Sequence, residues 1–199
     1  MTDPLLVARD VSRSYDVRGH DVLALRPTSL TVEAGDVLAV TGPSGTGKST
    51  LVSVLAGWDS PTSGTVERPA RTVFVPQRLA LLDTLTVQDN IALADQARSD
   101  EVGTLAAALA VDHLLDRFPG EISLGERQRV GLARALHARA PVTILDEPTA
   151  HQDGDHTRLV LDALTALPDD RAVVVATHDS VVVAVATAVV HLEAAVAAS

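Results

Sequence analysis

Cysteine is absent from these 199 residues, which excludes disulfides and thiolate metal sites and leaves thiol usage silent about the redox compartment. Positive charge is scarce as well. Sixteen basic residues against twenty-six acidic ones give a formal net charge of −10, which opposes a broad electrostatic grip on nucleic acid or anionic lipid. Any phosphate the chain holds must be held locally. Long apolar runs are also lacking: the most apolar stretch, VVVAVATAVV from Val181 to Val190, covers ten residues, well short of the roughly 20 that a membrane-spanning helix needs. Met1 and the following TDPLLVARD have neither the basic beginning nor the extended apolar run of a secretory signal, so a cytoplasmic location is expected. Lysine is reduced to a single residue, Lys48, the other fifteen basic residues all being arginine.

What is present suffices for one well-buried α/β core: 46% of the residues are hydrophobic, and the expectation is a single domain, 1–199, with an insertion. From Leu5 to Val32, short Val- and Leu-rich runs alternate with polar breaks such as DVRGHD, which reads as a small antiparallel β layer. DVLAVTG then gives a buried strand entering a glycine turn, and GKSTLVSVLAG leaves that turn as a helix. TVFVPQ is another short strand. Leu85 to Phe118 carries helical spacing, so residues from about 80 to 122 form the candidate inserted helical subdomain. From Ser123 the order becomes helix, strand (VTILD), helix (HTRLVLDALTAL), strand (RAVVVATH), short helix and a last strand (AVVHLE). That alternation implies a parallel sheet covered on both faces.

The strand and helix around GPSGTGKST bracket the pattern G-x-x-x-x-G-K-[ST], with Gly42, Gly47, Lys48 and Ser49 at its fixed positions. Its small residues, Gly42, Pro43, Ser44, Gly45, Thr46 and Gly47, let successive backbone N–H groups converge on phosphate oxygens, while the helix start at Lys48, Ser49 and Thr50 adds the positive end of its dipole. A compact ammonium suits such a loop where a planar guanidinium would crowd it. Ser49 can ligate Mg²⁺ through its hydroxyl. At the end of the apolar strand VTILDEP stand two acids: Asp146 is placed to hold Mg²⁺ through water, and Glu147 to orient or deprotonate an attacking water.

With these residues in hand the chain resembles the nucleotide-binding subunit of ATP-binding-cassette (ABC) transporters, from about Leu6 to Glu193. In that family a helix N-terminus carrying an L-S-G-G-[QE] signature faces the nucleotide bound to a second subunit. The matching stretch here is Ile122, Ser123, Leu124, Gly125 and Glu126, followed by RQRVGLARAL. The resemblance implies a P-loop NTPase fold, with Ser123 and the N–H of Gly125, in a turn completed by Glu126, reaching the γ-phosphate across a dimer interface. It places Tyr15 where an aromatic ring stacks on adenine, and Gln77 where a glutamine touches Mg²⁺ or the attacking water and marks the segment facing the membrane partner. Asp153 matches an aspartate that links the two sites across the dimer. His178 matches a histidine that contacts the γ-phosphate and holds Glu147 and the water in register. Leu124 departs from the pattern, which has glycine there, and Asp83 stands where proline is expected. The 46 positions from Gln77 to Ser123 suggest a shortened helical subdomain.

The resemblance implies an ATPase with ATP and Mg²⁺ as cofactors, dimeric in ATP, peripheral on the inner face of the cell membrane through a separately encoded permease, and without a nucleic-acid partner. The phrases LTVQDNI, RFPGEIS and DEPTAH look most like the lipoprotein-release and macrolide-export branch. Two other readings stay open: a soluble ABC ATPase with no permease, and a regulatory subunit that closes on ATP but turns it over weakly, for which Leu124 is the motive.

Overall fold

A computed structural model describes residues 3–77, 81–150 and 152–193. Its first two strands, β1 (Leu6–Val17) and β2 (His20–Val32), pair antiparallel across a two-residue turn at Arg18 and Gly19, with Val17 opposite His20 and Leu6 opposite Val32. They bury Leu6, Ala8, Val11, Leu25, Leu30 and Val32 and leave the distal turn exposed. The next strand, β3 (Val37–Thr41), is buried at four of its five positions and runs into the loop that precedes α1 (Lys48–Ala56).

After α1 the chain adds a strand that the sequence pattern does not reveal. β4 (Ser63–Glu67) pairs antiparallel with β1, making a three-stranded layer of order β2-β1-β4. Only Val66 of SGTVE is even partly buried, so the strand lacks the period-two apolar signal by which strands are read.

Four further strands join β3 in a parallel sheet: β5 (Thr72–Val75), β6 (Val142–Asp146), β7 (Ala172–Ala176) and β8 (Ala188–His191), in the order β5-β6-β7-β3-β8. The central strands are continuous apolar runs because both sheet faces are covered. On one face Leu38, Val40, Val142, Ile144, Ala172, Val174 and Ala176 pack with Leu51, Val52 and Leu55 of α1 and with the N-terminal β layer. On the other, Leu145, Val173 and Val175 meet the remaining helices.

Those helices are α2 (Val87–Ala92), α3 (Val102–Ala108), α4 (Leu124–His137), α5 (Gly154–Thr165) and α6 (Ser180–Val185). The helical spacing expected from Leu85 to Phe118 is realised as short pieces, α2 and α3 with 3₁₀ turns at Gln96–Glu101 and Asp112–Leu114. Ala110, at φ 51°, breaks the regular spiral. The pieces are held by burial instead: Val87, Ile91, Val102, Ala106 and Leu109 share one cluster with Val130, Ala133 and Leu136 of α4.

Asn90 of α2 is fully buried and stitches the preceding loop. Its Oδ1 accepts from the Leu82 N–H (2.8 Å), while Nδ2 reaches the carbonyls of Leu82 (3.0 Å), Leu85 (3.1 Å) and Thr86 (2.9 Å). Asn90→Ala strands those groups away from water and is expected to lower the unfolding free energy by about 2–3 kcal/mol. Urea titration checks this, and a loss of a few tenths of that size would show the loop to be held by its apolar neighbours.

Candidate active site

The parallel register sets out the site. Val40 of β3 and Asp146 of β6 both lie beside Ala176 of β7, so the three strands end in a row. The residues just beyond each strand are thereby delivered to one edge of the sheet, where ligands of open α/β sheets collect.

After β3 comes the loop Gly42 to Gly47. Gly42 (φ 143°) and Gly47 (φ 96°) adopt backbone conformations that a side chain resists, and a Cβ on them would collide with the carbonyl oxygens of Leu192 and Ala24. Thr46 is buried and its hydroxyl donates to the Pro43 carbonyl (2.9 Å), bracing the loop from within. Lys48, the first residue of α1, donates from Nζ to the carbonyls of Gly42 (2.8 Å) and Pro43 (3.1 Å), which draws the ammonium back over the loop. Backbone donors and one point charge thus face the same space, as an oxyanion requires.

After β6 stand the two acids in different surroundings. Asp146 is buried, and burial pushes its carboxyl above the usual carboxylate range, with the Ser49 hydroxyl and the Lys48 ammonium opposing that rise. Its Oδ1 is buried with no hydrogen-bond partner. An orphaned carboxylate oxygen beside a serine hydroxyl fits a hard cation. Among the described residues no group of three or more His, Cys, Asp or Glu is arranged to hold a metal. A cation here would thus depend on Asp146, Ser49 and Gln77 together with phosphate oxygens and water, the oxygen coordination that Mg²⁺ favours.

Glu147 adopts φ 51°, an uncommon conformation for a residue with a side chain, and its N–H donates to the Ala176 carbonyl (2.8 Å), which holds the turn in place. Its carboxylate accepts from His178 Nδ1, with both oxygens 2.9 Å from that nitrogen. His178 follows β7 and is itself fixed by its neighbour Asp179. The Asp179 carboxylate caps α6 at the Val181 N–H (2.9 Å) and accepts from the Thr149 hydroxyl (3.0 Å). The histidine side chain is 75% exposed while that of Glu147 is only 12% exposed, so one partner faces the cleft and the other is sheltered behind it.

Ser44, Gly45, Gly47, Lys48, Ser49, Thr50, Gln77, Glu147 and His178 line one cleft of about 550 Å³. Its remaining wall is Val22, Leu23 and Ala24 of β2, which carry no motif in the sequence. Val22 and Leu23 are exposed aliphatics on a strand, and that exposure is visible only once the strand is placed. Tyr15 is not among the lining residues. It pairs with Val22 across the strands, its ring lies 4.5 Å from the Arg13 guanidinium, and its hydroxyl donates to Asp59 (2.6 Å).

Ser123, Gly125, Glu126 and Asp153 line a second cleft, of about 580 Å³. Ser123 is the N-cap of α4: its hydroxyl accepts from the Glu126 N–H (3.3 Å), and Glu126 accepts from the Ser123 N–H (2.7 Å) and hydroxyl (2.8 Å). Those bonds, the Ser123 N–H first, hold the Glu126 carboxyl below its ordinary range. Asp153 caps α5 through the His156 N–H (3.0 Å), and that bond lowers its carboxyl likewise. Leu124 occupies the first helical position, outside the left-handed region, and is 50% exposed on the cleft wall. The backbone there accepts a Cβ without strain. Two residues unremarked in the sequence, Arg129 and Gln152, also line this cleft.

A family model described as ABC transporter matches residues 25–150. The lipoprotein-releasing system ATP-binding protein LolD of Psychrobacter arcticus is 36% identical over 88% of this chain and 89% of its own length. The macrolide export ATP-binding/permease protein MacB of Hyphomonas neptunium is 33% identical over 96% of this chain, which spans only 34% of that relative. Among solved structures, a dimeric bacterial ABC transporter cassette superposes with a TM-score of 0.87 at 25% identity over 94% of both chains. The same cassette as a post-hydrolysis dimer bound to ADP and Pi gives a TM-score of 0.83 at the same identity and coverage. With its phosphate loop, paired acids and capped signature helix on the matching fold, the chain belongs to the ABC transporter family, as an ATP-binding cassette.

Proposed function

We propose that this chain is the ATP-binding and ATP-hydrolysing subunit of a transporter, and that two copies, or one copy and a homologous sibling, close around two MgATP to drive a separately encoded membrane permease. The division of the site carries this reading. The Lys48 loop, Glu147 and His178 share one cleft, whereas Ser123 and Gly125 line another on the same chain. Each chain offers two halves, and a second copy supplies the complement. The dimeric cassette supports the pairing, the MacB relative, named an ATP-binding/permease protein, supports a permease, and the LolD relative, named an ATP-binding protein of a releasing system, supports an ATP-binding subunit of a larger assembly. The whole chain, 1–199, is taken as one domain in which 80–122 is the inserted helical part. No helix of the described residues is long and apolar enough to cross a membrane, and attachment to the inner membrane face is proposed to run through the permease near Gln77.

In this reading the loop N–H groups and Lys48 hold the β- and γ-phosphates, and the capped N-terminus of α4 from the second copy meets the γ-phosphate from the other side. Glu147 orients the water and accepts its proton as the terminal phosphoryl group leaves ADP, with His178 keeping the carboxylate aimed. Mg²⁺, held by Asp146, Ser49 and Gln77, would supply charge neutralisation of the phosphate oxygens. ATP favours the closed pair by its differential affinity for that state, and hydrolysis removes the bias.

Glu147→Gln keeps the shape of the site and removes the base. It is expected to bind ATP as tightly as the wild type, lose at least about a hundredfold in turnover, and accumulate an ATP-dependent dimer. Light scattering after size exclusion reads this, and a variant that stays monomeric in ATP would count against the sandwich.

A weakly hydrolysing variant of the same machine is favoured by one observation, the half-exposed Leu124 on the signature cleft. Since its own backbone is unstrained, the side chain can obstruct only what docks from outside. Leu124→Gly is expected to raise steady-state turnover, and an unchanged rate would show the leucine to be harmless. Co-purification with a neighbouring permease separates both readings from a soluble ATPase.

A further inference from the structure

A further cleft lies at the opposite edge of the parallel sheet from Lys48, Glu147 and His178. Arg171 stands directly before β7 and Arg139 shortly before β6, where the strands begin, and both line it. The cleft holds about 310 Å³, at the lower end of the range of small-molecule sites. Its walls are aliphatic: Leu105 of α3 with Leu109 just past it, Leu136 of α4, Ala163 of α5, and Ala166 and Leu167 just past that helix. Leu109 and Leu136 are buried, while Leu105 and Leu167 are half-buried. The apolar surface is therefore recessed, a shape that admits a small ligand rather than the flat face of a protein.

The charges of the lining do not cancel. It contains two arginines and a single acid, Glu101. Arg139 donates from Nη2 to Glu101 Oε2, so those two compensate each other. Arg171 is the cation left over. Its side chain is only 18% exposed, and the carboxylate near it, that of Asp170, is 4.0 Å away and 83% exposed to solvent. That separation is too long for a hydrogen bond, so the sheltered guanidinium keeps a donor fork free for a planar oxyanion. On a chain of net charge −10, such an anion is recognised by contact or not at all.

We propose that this cleft binds a small amphipathic anion, with one carboxylate on Arg171 and a short aliphatic chain against Leu105, Leu109, Leu136 and Leu167. Each half of such a ligand meets its complement: the chain leaves water for an aliphatic wall, and the head accepts paired, charge-assisted hydrogen bonds. Bound there it bridges α3 to the far ends of α4 and α5, the helices that begin at the Ser123 turn and at Asp153.

Calorimetric titration of the intact protein with octanoate, 1-octanol and acetate separates the contributions of head and tail. Octanoate is expected to bind at one site with a Kd of about 1 mM or tighter, 1-octanol at least about tenfold more weakly, and acetate not measurably. Arg171→Gln removes the charge and is expected to weaken octanoate about tenfold, while Ala163→Phe fills the recess and is expected to abolish binding. Thermal melts accompany both variants. Should Ala163→Phe melt far below the wild type, Arg171→Gln decides. Because the nucleotide cleft lies at the other edge of the sheet, saturating MgATP is expected to leave the octanoate affinity within about twofold. The proposal is overturned if octanoate does not bind, if 1-octanol binds as well as octanoate, or if Arg171→Gln melts like the wild type and keeps its affinity. Displacement of octanoate by ATP would locate it in the nucleotide cleft, and uptake at many sites indifferent to both variants would mark adventitious partitioning only; either result also overturns it.

Discussion

The register of the parallel sheet is the constraint on which the rest depends. Val40, Ala176 and Asp146 stand side by side, so the loop after β3, the acids after β6 and the histidine after β7 arrive at one edge. A slip of one residue in β6 would reverse the faces of Leu145 and Ile144 and carry Glu147 away from His178. The site is therefore insured by burial on both faces of the sheet, where aliphatic residues admit one register.

Within that frame, local electrostatics work against the overall charge. A chain of net charge −10 repels a polyphosphate at long range, so recognition must come from groups within contact distance. The Gly42–Gly47 backbone, the start of α1 and the single lysine supply them, and at working ionic strength contact terms outlast the distant repulsion. Buried Asp146 adds an uncompensated oxygen at the same place, which makes the site as hospitable to a hard cation as to the anion that would accompany it.

Much of this was legible in the sequence where chemistry and periodicity coincide. Lys48, Ser49, Asp146 and Glu147 announce themselves by residue type at fixed spacing, Ser123 through the family resemblance of its helix start, and the strands around the acids and the lysine are largely apolar. β4 escaped because its one half-buried side chain gives no period. The stretch from Leu85 to Phe118 looked more regular than it is, since burial of Val102, Ala106 and Leu109 can be met by short helical pieces as readily as by one long helix. Leu124 stands where the family pattern has glycine, and its helical backbone accommodates a Cβ within the chain itself. Gln152 carried no signal at all. A glutamine in a loop is ordinarily solvated, and only the folded chain brings it against Gly125 and Arg129.

Placing the Lys48 loop and the Ser123 turn in separate clefts of one chain has a genetic corollary in the proposed dimer. Two inactive alleles, one damaged in the loop and the other in the turn, would rescue each other when co-expressed: a mixed pair gathers both lesions into one composite centre and leaves its counterpart whole. Two alleles damaged in the same cleft would have no such remedy.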